Sequence, residues 1–410
     1  MENKTLRKGL VVTSIVLITL SAFLLSYIDA RQMMYGSQEL VNWIFFTAAL
    51  AIPFLAILIV LSRYYNSTDT VNDMLAAIGI KYSIFGWFFV FGMRIAVAMM
   101  LLFCYNFFVS HYYTIYLLMN AFNVCVVGTV VLFIALRKVP RYRIEKRKLK
   151  FGHLLLLIMM MYGLSQVGSL MGLPIHSLLT AIGTVGQEEQ SLGELQELLM
   201  GSNQFIMVIT VGILPAIFEE LLFRKFLIDR TIRHGEFISC ALSGIMFGLW
   251  HGNFQQFFFA FFIGVMFAFV YIRTGNIIYT MIMHCSMNLV TTTVTTQLLS
   301  KLLEKLGLDL ETGSIDENFF TSEALQQLLP VLLLTFLWLI ILAGFQIAGF
   351  VMFIVKRKKF KLLPMVGELP RKVLLRSITH SPEMWVFFSF ALLLFVHTYL
   401  PDYIAFFAGR

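Results

Sequence analysis

Charged side chains are scarce in this chain. Only 13% of its 410 residues are Asp, Glu, Lys or Arg, whereas 59% are hydrophobic. A soluble domain carries about a quarter of charged residues, so a soluble globular protein is excluded. Cysteine is also sparse, with four residues that fall in apolar stretches without close pairing. The cysteine pattern therefore indicates neither a disulfide framework nor a cysteine-based zinc site.

The chain also lacks a polar segment long enough to bury a core of its own. Its two longest water-facing stretches are predicted at 173–203 and 299–328, and no repeat, low-complexity segment or Gly/Ser linker divides the chain. The function is therefore expected among membrane helices rather than in an appended soluble domain.

The chain has instead a series of apolar stretches about 20 residues long, the length that crosses a bilayer as a helix. They predict an all-α fold, a polytopic transmembrane helical bundle with about eleven spans. The stretches lie near 9–29, 42–62, 83–108, 114–136, 152–172, 204–224, 237–252, 254–272, 277–297, 329–355 and 384–404. The first is expected to be retained, because no small-residue cleavage pattern follows it.

Basic residues concentrate in loops, which predicts the orientation. The densest clusters are 137–150 and 356–361, and the positive-inside rule places them and the N-terminus in the cytoplasm. We interpret the net charge of +8 as a topology signal attracted to anionic lipid, with no nucleic-acid partner. A bacterial cytoplasmic membrane is the expected location, because no retention or targeting tail is recognisable.

Three regions are predicted along the chain. Residues 1–200 form N-terminal accessory transmembrane helices. Residues 204–298 hold four closely spaced spans that carry nearly all the unusual polar side chains. Residues 299–410 form an extracytoplasmic loop and the C-terminal transmembrane helices.

The segment LPAIFEELLFRKF (214–226) places two glutamates and an arginine in an apolar run. Each buried charge costs roughly 2.5–3.5 kcal/mol on insertion and is normally retained for a task. Glu220 precedes Arg224 by four residues, the favourable order for an intrahelical pair. Glu219 points about 100° away from Glu220 on a helix and is left freer. We expect Glu219 to be a general base, supported by Glu220 and Arg224.

Two histidines are the ionisable groups inside the next spans. Phe247 precedes His251 by four residues, and His284 precedes Asn288 by four. Residues at this spacing share a helix face. We therefore expect His284 and Asn288 to point at one place and Phe247 to form a wall beside His251.

Helix interruptions are predicted next to these polar residues. Pro215 removes one backbone hydrogen bond, and Gly252 with Asn253 breaks the helix after His251. Non-helical backbone at membrane depth is tolerated where it is buried or lines a wet cavity, and a hydrolytic site in a membrane needs such a cavity.

Structural roles compete with each of these assignments. The glutamates can form an ion pair that reaches the interface together with Arg224, Lys225 and Asp229, and a buried histidine can join helices by hydrogen bonds. The presence of all these residues together favours a site. Arg94, another charge at membrane depth, either neutralises an acidic group in the core or locks the N-terminal helices onto it, and we favour the lock.

The need for a metal stays open at this point. Glu219, His251 and His284 are a donor set that suits a catalytic zinc with an open position. Zinc-protease spacing of the HExxH type is absent, however, and Glu220 is paired with Arg224. We favour a metal-free route in which Glu219 takes a proton from water while His251, His284 and Asn288 donate to the oxyanion.

The order EExxxR, FxxxH, HxxxN, each on its own span, resembles the CPBP family of intramembrane proteases, which includes the CAAX prenyl endopeptidases and Abi-like, bacteriocin-processing relatives. The resemblance is carried by Glu219, Glu220, Arg224, Phe247, His251, His284 and Asn288. It implies a four-helix catalytic core and peptide-bond hydrolysis on the cytoplasmic side. It also implies that Glu219 activates a water and that the histidines and Asn288 complete the site.

The resulting hypothesis is an intramembrane endopeptidase that acts on a membrane-associated peptide or a lipidated protein. The protein is expected to contact membrane lipids and to bind a membrane protein partner through its flanking helices. The alternative is a non-catalytic family member that regulates a sensor kinase, a cell-wall enzyme or bacteriocin immunity. A transporter is disfavoured, because it would show related polar sites in two halves and the sequence has one cluster.

Overall fold

The computed structural model describes residues 2–35, 40–183, 203–306, 322–365 and 367–407. Within these ranges the regular secondary structure is helical, without a strand, which confirms the all-α bundle. Of the two predicted water-facing stretches, residues 184–202 and 307–321 lie outside the described ranges. Most of what is described of the two stretches is helical.

The N-terminal part of the bundle contains eight α-helices. They are α1 (Glu2–Tyr35), α2 (Leu40–Tyr64), α3 (Val71–Trp87), α4 (Met93–Phe103), α5 (Tyr105–Ser110), α6 (Tyr112–Ala121), α7 (Thr129–Leu136) and α8 (Phe151–Gly183). Two π-helical segments interrupt them, π1 (Phe88–Gly92) between α3 and α4 and π2 (Phe122–Gly128) between α6 and α7.

The remaining helices follow in the same pattern. They are α9 (Gln204–Met207), α10 (Leu214–Glu220), α11 (Leu227–Thr231), α12 (Glu236–Trp250), α13 (Phe254–Thr274), α14 (Ile277–Asn288), α15 (Thr296–Lys305), α16 (Ser322–Lys356), α17 (Arg371–His380) and α18 (Pro382–Phe407). Three more π-helical segments are π3 (Val208–Ile213), π4 (Leu221–Phe226) and π5 (Leu289–Thr295).

Nine helices in the described ranges are long and apolar enough to cross a membrane, and a tenth is counted if α17 and α18, bent by 69°, form one span. This count is lower than the predicted eleven mainly because α12 has only 15 residues. At 1.5 Å per residue α12 is about 22 Å long, shorter than the roughly 30 Å hydrocarbon core. The polytopic architecture is nevertheless confirmed.

The predicted helix interruptions are present. Pro215 lies in the first turn of α10, directly after π3, where its missing N–H is tolerated. Gly252 has a positive φ of 70°, a conformation that favours glycine, and the Asn253 side chain caps the start of α13 by accepting from Gln256 N.

Each π-helical turn contains an extra residue and disturbs the regular backbone hydrogen-bond ladder. Carbonyls freed in this way need partners inside a membrane. In π4, the Leu222 carbonyl accepts from the Tyr82 hydroxyl at 2.5 Å, and the Phe223 carbonyl accepts from the Ser243 hydroxyl at 2.8 Å. Helices α3 and α12 therefore hold the segment that follows the glutamate pair.

The main hydrophobic core surrounds this segment, with buried side chains from α3, α8, π4, α12, α13 and α14. A second core joins α1 and α2 to α3 and α18. Helix α16 is different, because most of its side chains are exposed on the surface of the bundle and it packs mainly on α8 and α15.

Two glycines allow α16 and α8 to approach backbone to backbone. A methyl group added to Gly349 would overlap the Met159 carbonyl oxygen, and one added to Gly163 would overlap the Phe350 backbone nitrogen. Small residues at such crossings let membrane helices pack closely.

We expect Gly349→Leu to force α16 away from α8 and to lower stability by about 1–3 kcal/mol, the usual effect of overpacking. Gly344→Leu is the matched control, since a Cβ at Gly344, on the same helix, meets nothing within 4 Å. Thermal unfolding in detergent tests this. Equal melting temperatures for the two variants would contradict the close crossing.

Candidate functional site

Three structural elements place four of the predicted polar residues around one point in the bundle. Helix α10 ends with Glu219 and Glu220, and π4 continues it with Arg224. Helix α14 carries His284 seven residues after its start. The structure brings these four side chains together.

Glu220 lies at the centre of this group and has no exposed side-chain surface. Its Oε2 lies 3.2 Å from Arg224 Nε, and its Oε1 accepts from His284 Nδ1 at 3.0 Å. The predicted pairing of Glu220 with Arg224 is therefore present. The contact with His284 is a second one that the sequence did not reveal.

Arg224 is also fully buried, and its charge is compensated in an unusual way. Its guanidinium carbon lies 4.3 Å from the Phe247 ring centre and 5.1 Å from that of Phe267, both within the range of cation–π attraction. Among the described residues its three guanidinium nitrogens have no well-aligned hydrogen-bond acceptor. The nearby Glu220 carboxylate and the two aromatic rings therefore stabilise the buried charge of Arg224.

Glu219 differs from its neighbour in both exposure and contacts. Its side chain is 12% exposed, and its Oε2 lies 3.7 Å from His284 Nε2. That separation exceeds a direct hydrogen bond. His284 therefore has one ring nitrogen held by Glu220 and the other facing Glu219.

His251 lies just beyond the C-terminal end of α12, where the helix breaks. Its Nδ1 donates to the Phe247 carbonyl at 2.9 Å, so that Nε2 is directed away from the helix backbone. The Phe247 ring lies between the two histidines, 5.0 Å from the His251 ring and 5.7 Å from the His284 ring, with nearly perpendicular planes. Phe247 is the predicted wall beside His251.

Asn288 is one turn after His284 on α14. Its side-chain amide donates to the Val211 carbonyl at 3.3 Å, and Val211 belongs to π3. Sequence reasoning missed this contact, because no residue pattern signals where a π-helical turn frees a carbonyl.

A cavity of about 380 Å³ adjoins His251. Its polar lining side chains are Arg94, Tyr116, Asn120, His251, His397 and Thr398. Arg94 Nη2 lies 3.3 Å from His397 Nδ1, so α4 contacts the C-terminal helix α18. Which of its two predicted roles Arg94 has stays a prediction. A lone histidine in an apolar helix is the sequence signal that points to His397.

No three His, Cys, Asp or Glu side chains of the described ranges form a group that could hold a metal ion. Glu219 and His284 approach one another, but Glu220 is held by Arg224 and by His284 Nδ1. The side-chain arrangement therefore does not fit the three-donor set, Glu219, His251 and His284, that a catalytic zinc would use.

We expect Glu220→Gln to destabilise the protein by about 3–5 kcal/mol, because it leaves the buried charge of Arg224 uncompensated. Glu219→Gln is the matched control, since it makes the same chemical change one residue away, at a side chain that is 12% exposed and that contacts His284 across a longer distance of 3.7 Å. The measurement is thermal unfolding of both variants in the same detergent. A loss of stability as large in Glu219→Gln would show that the two carboxylates do not differ.

Comparison with known protein families gives a match to part of the chain. Residues 201–290 match the family model described as type II CAAX prenyl endopeptidase Rce1-like, which is a protease family. The matched segment contains all seven motif residues and confirms the resemblance to CPBP family intramembrane proteases. No curated protein and no solved structure matches the chain.

Proposed function

We propose that this Rce1-like membrane protein is an intramembrane endopeptidase in which Glu219 activates a water molecule. One observation carries the proposal: Glu219 is the more exposed of two adjacent glutamates, and it faces His284 Nε2 across 3.7 Å. Two polar atoms at this distance are too close for a water to lie on the line between them, but one water beside the gap reaches both. A water in that position would contact Glu219 as a proton acceptor directly.

Glu220 and Arg224 act as positioning residues in this proposal. Glu220 accepts from His284 Nδ1, and a hydrogen bond at one ring nitrogen sets the role of the other. His284 therefore presents Nε2 towards the reacting atoms. Arg224 holds the Glu220 charge in place from the opposite side.

The reaction proceeds through a tetrahedral intermediate. Glu219 takes a proton from the water as the water oxygen bonds to the peptide carbonyl carbon. Hydrogen-bond donors stabilise the oxyanion that forms. Asn288 and His284 have this role, His284 as an imidazolium held between the two glutamates. His251 joins them through Nε2 when both of its ring nitrogens carry a proton, because its Nδ1 already donates to the Phe247 carbonyl. The C–N bond then breaks, and the proton from Glu219 passes to the amine nitrogen. A carboxylic acid and an amine leave, and transfer of the acid proton to the amine gives a carboxylate and an ammonium.

The substrate class follows from the position of the site. Glu219 lies within the candidate span Gln204–His234, so a peptide has to enter among the helices. The 380 Å³ cavity beside His251 is in the size range of ligand pockets and has both apolar and polar walls. A membrane-associated peptide or a lipidated protein tail suits this environment.

We expect Glu219→Gln to reduce cleavage by about 100-fold or more, because a general base contributes roughly 10²–10⁴ to the rate. Proteomic comparison of cells carrying the wild type or this variant should show protein termini that appear only with the wild type. Glu145→Gln, at an exposed glutamate of the basic loop, is the control and should retain those termini.

Unchanged termini in Glu219→Gln cells would remove Glu219 as the base. If a cellular phenotype of the wild type also survives His284→Ala but is lost on deletion of 1–200 or 299–410, the protein acts as a non-catalytic membrane partner instead.

The proposed mechanism uses no metal, since the described side chains provide no three-donor set. We expect cleavage by purified protein to be unchanged, within about twofold, after treatment with a strong chelator, because metal-bound water is not the nucleophile. Loss of activity that is restored by added zinc would contradict this.

A further inference from the structure

A second cavity, of about 390 Å³, lies between the ends of α2 and α7 and the second half of α3. Four basic side chains line it, from Arg63, Lys81, Arg137 and Lys138, and no Asp or Glu does. Four cations around one cavity repel one another unless an anion lies among them. The Glu219 site does not include these residues.

Lys81 is the deepest of the four and is only 2% exposed. Its ammonium group donates to the Ser62 carbonyl and to Asn66 Oδ1. An ammonium has three N–H donors, so these two contacts hold Lys81 against α2 and leave one donor. A buried lysine is rare unless it is paired, and no carboxylate pairs with it in the described ranges.

The other three cations lie at helix ends. Arg63 is in the last turn of α2, and Arg137 and Lys138 follow the last residue of α7. All three side chains are exposed, and in the described part of the chain none of them has an ion pair or a side-chain hydrogen bond. Their charges are therefore available to a ligand.

The remainder of the cavity is apolar. Leu55 and Ile59 of α2 line one side, and Val131, Ile134 and Ala135 of α7 line another. The cavity thus has a basic end at the level where the helices finish and an apolar wall that runs into the membrane-spanning part.

We propose that this cavity binds an anionic phospholipid, with the phosphate headgroup among the four cations and an acyl chain along the apolar wall. Basic pockets between membrane helices bind such headgroups. A soluble anion would compensate the charge but would leave the apolar wall uncovered. The basic loop 137–150, which begins at this cavity, is predicted to face the cytoplasm, so the lipid belongs to that leaflet.

Native mass spectrometry of the full chain, purified with a mixture of phosphatidylcholine and phosphatidylglycerol, tests the proposal. We expect the wild type to retain phosphatidylglycerol preferentially. The double variant Arg137→Gln/Lys138→Gln should retain it about tenfold less, because each cation contributes to attraction of the headgroup. Lys146→Gln/Lys148→Gln is the matched control, since it removes the same charge from exposed positions of the same loop outside the cavity.

The proposal is supported if the control variant retains as much phosphatidylglycerol as the wild type and the cavity variant loses it. Equal loss in both double variants would show only diffuse attraction of the basic loop and would overturn the proposal. An excess of glycerol phosphate should not displace the lipid, and displacement would mean that a soluble anion occupies the site instead. Far-ultraviolet circular dichroism checks that both variants are folded.

Discussion

The buried charge of Glu220 is the constraint on which the centre of this bundle depends. An ionised carboxylate without solvent contact is stable only with compensating partners, and Glu220 has two, Arg224 on its own helix and His284 on α14. Arg224 in turn depends on the faces of Phe247 and Phe267. One carboxylate therefore fixes a cation, an imidazole and two aromatic rings, drawn from four helical segments.

Wide helical turns make this arrangement possible. π3 and π4 flank the glutamate pair, and each has a carbonyl that accepts from a side chain on another helix, as Val211 does from Asn288. The same solution recurs farther away in π1, where the Phe88 carbonyl accepts from Asn123 at 3.0 Å. In these cases a polar side chain joins two helices by donating a hydrogen bond to a backbone carbonyl of a π-helical turn. The local geometry of one helix is thereby linked to its packing against another.

Much of the architecture was predictable from the sequence, because burial in lipid requires long apolar helices and because charge at membrane depth is conspicuous. The spacing of Glu220 and Arg224 predicted their pairing, and Gly252 with Asn253 predicted the helix break. The orientation across the membrane and the boundaries at 200 and 299 remain predictions. The roles of the individual site residues also remain predictions.

Other features were beyond sequence reasoning. Hydrophobic length alone counted 237–252 as a span, although its helix ends after 15 residues. The contacts of His284 with Glu220 and of His397 with Arg94 join residues that are far apart in the chain, and no spacing rule predicts them. The stability of a π-helical turn depends on a donor from another helix that reaches the freed carbonyl. The sequence near the turn does not reveal that donor, because its position is set by the packing of the bundle.

The shortness of α12 has a consequence for the surrounding bilayer. The chain reverses at Gly252, whose carbonyl accepts from Thr398 of α18 at 3.0 Å, before a helix of normal length would have reached the far surface. Lipid beside this reversal has to thin, or protein has to replace it, at a cost that grows with the mismatch. The turn that carries His251 is therefore the place at which the mismatch between helix length and hydrocarbon thickness falls.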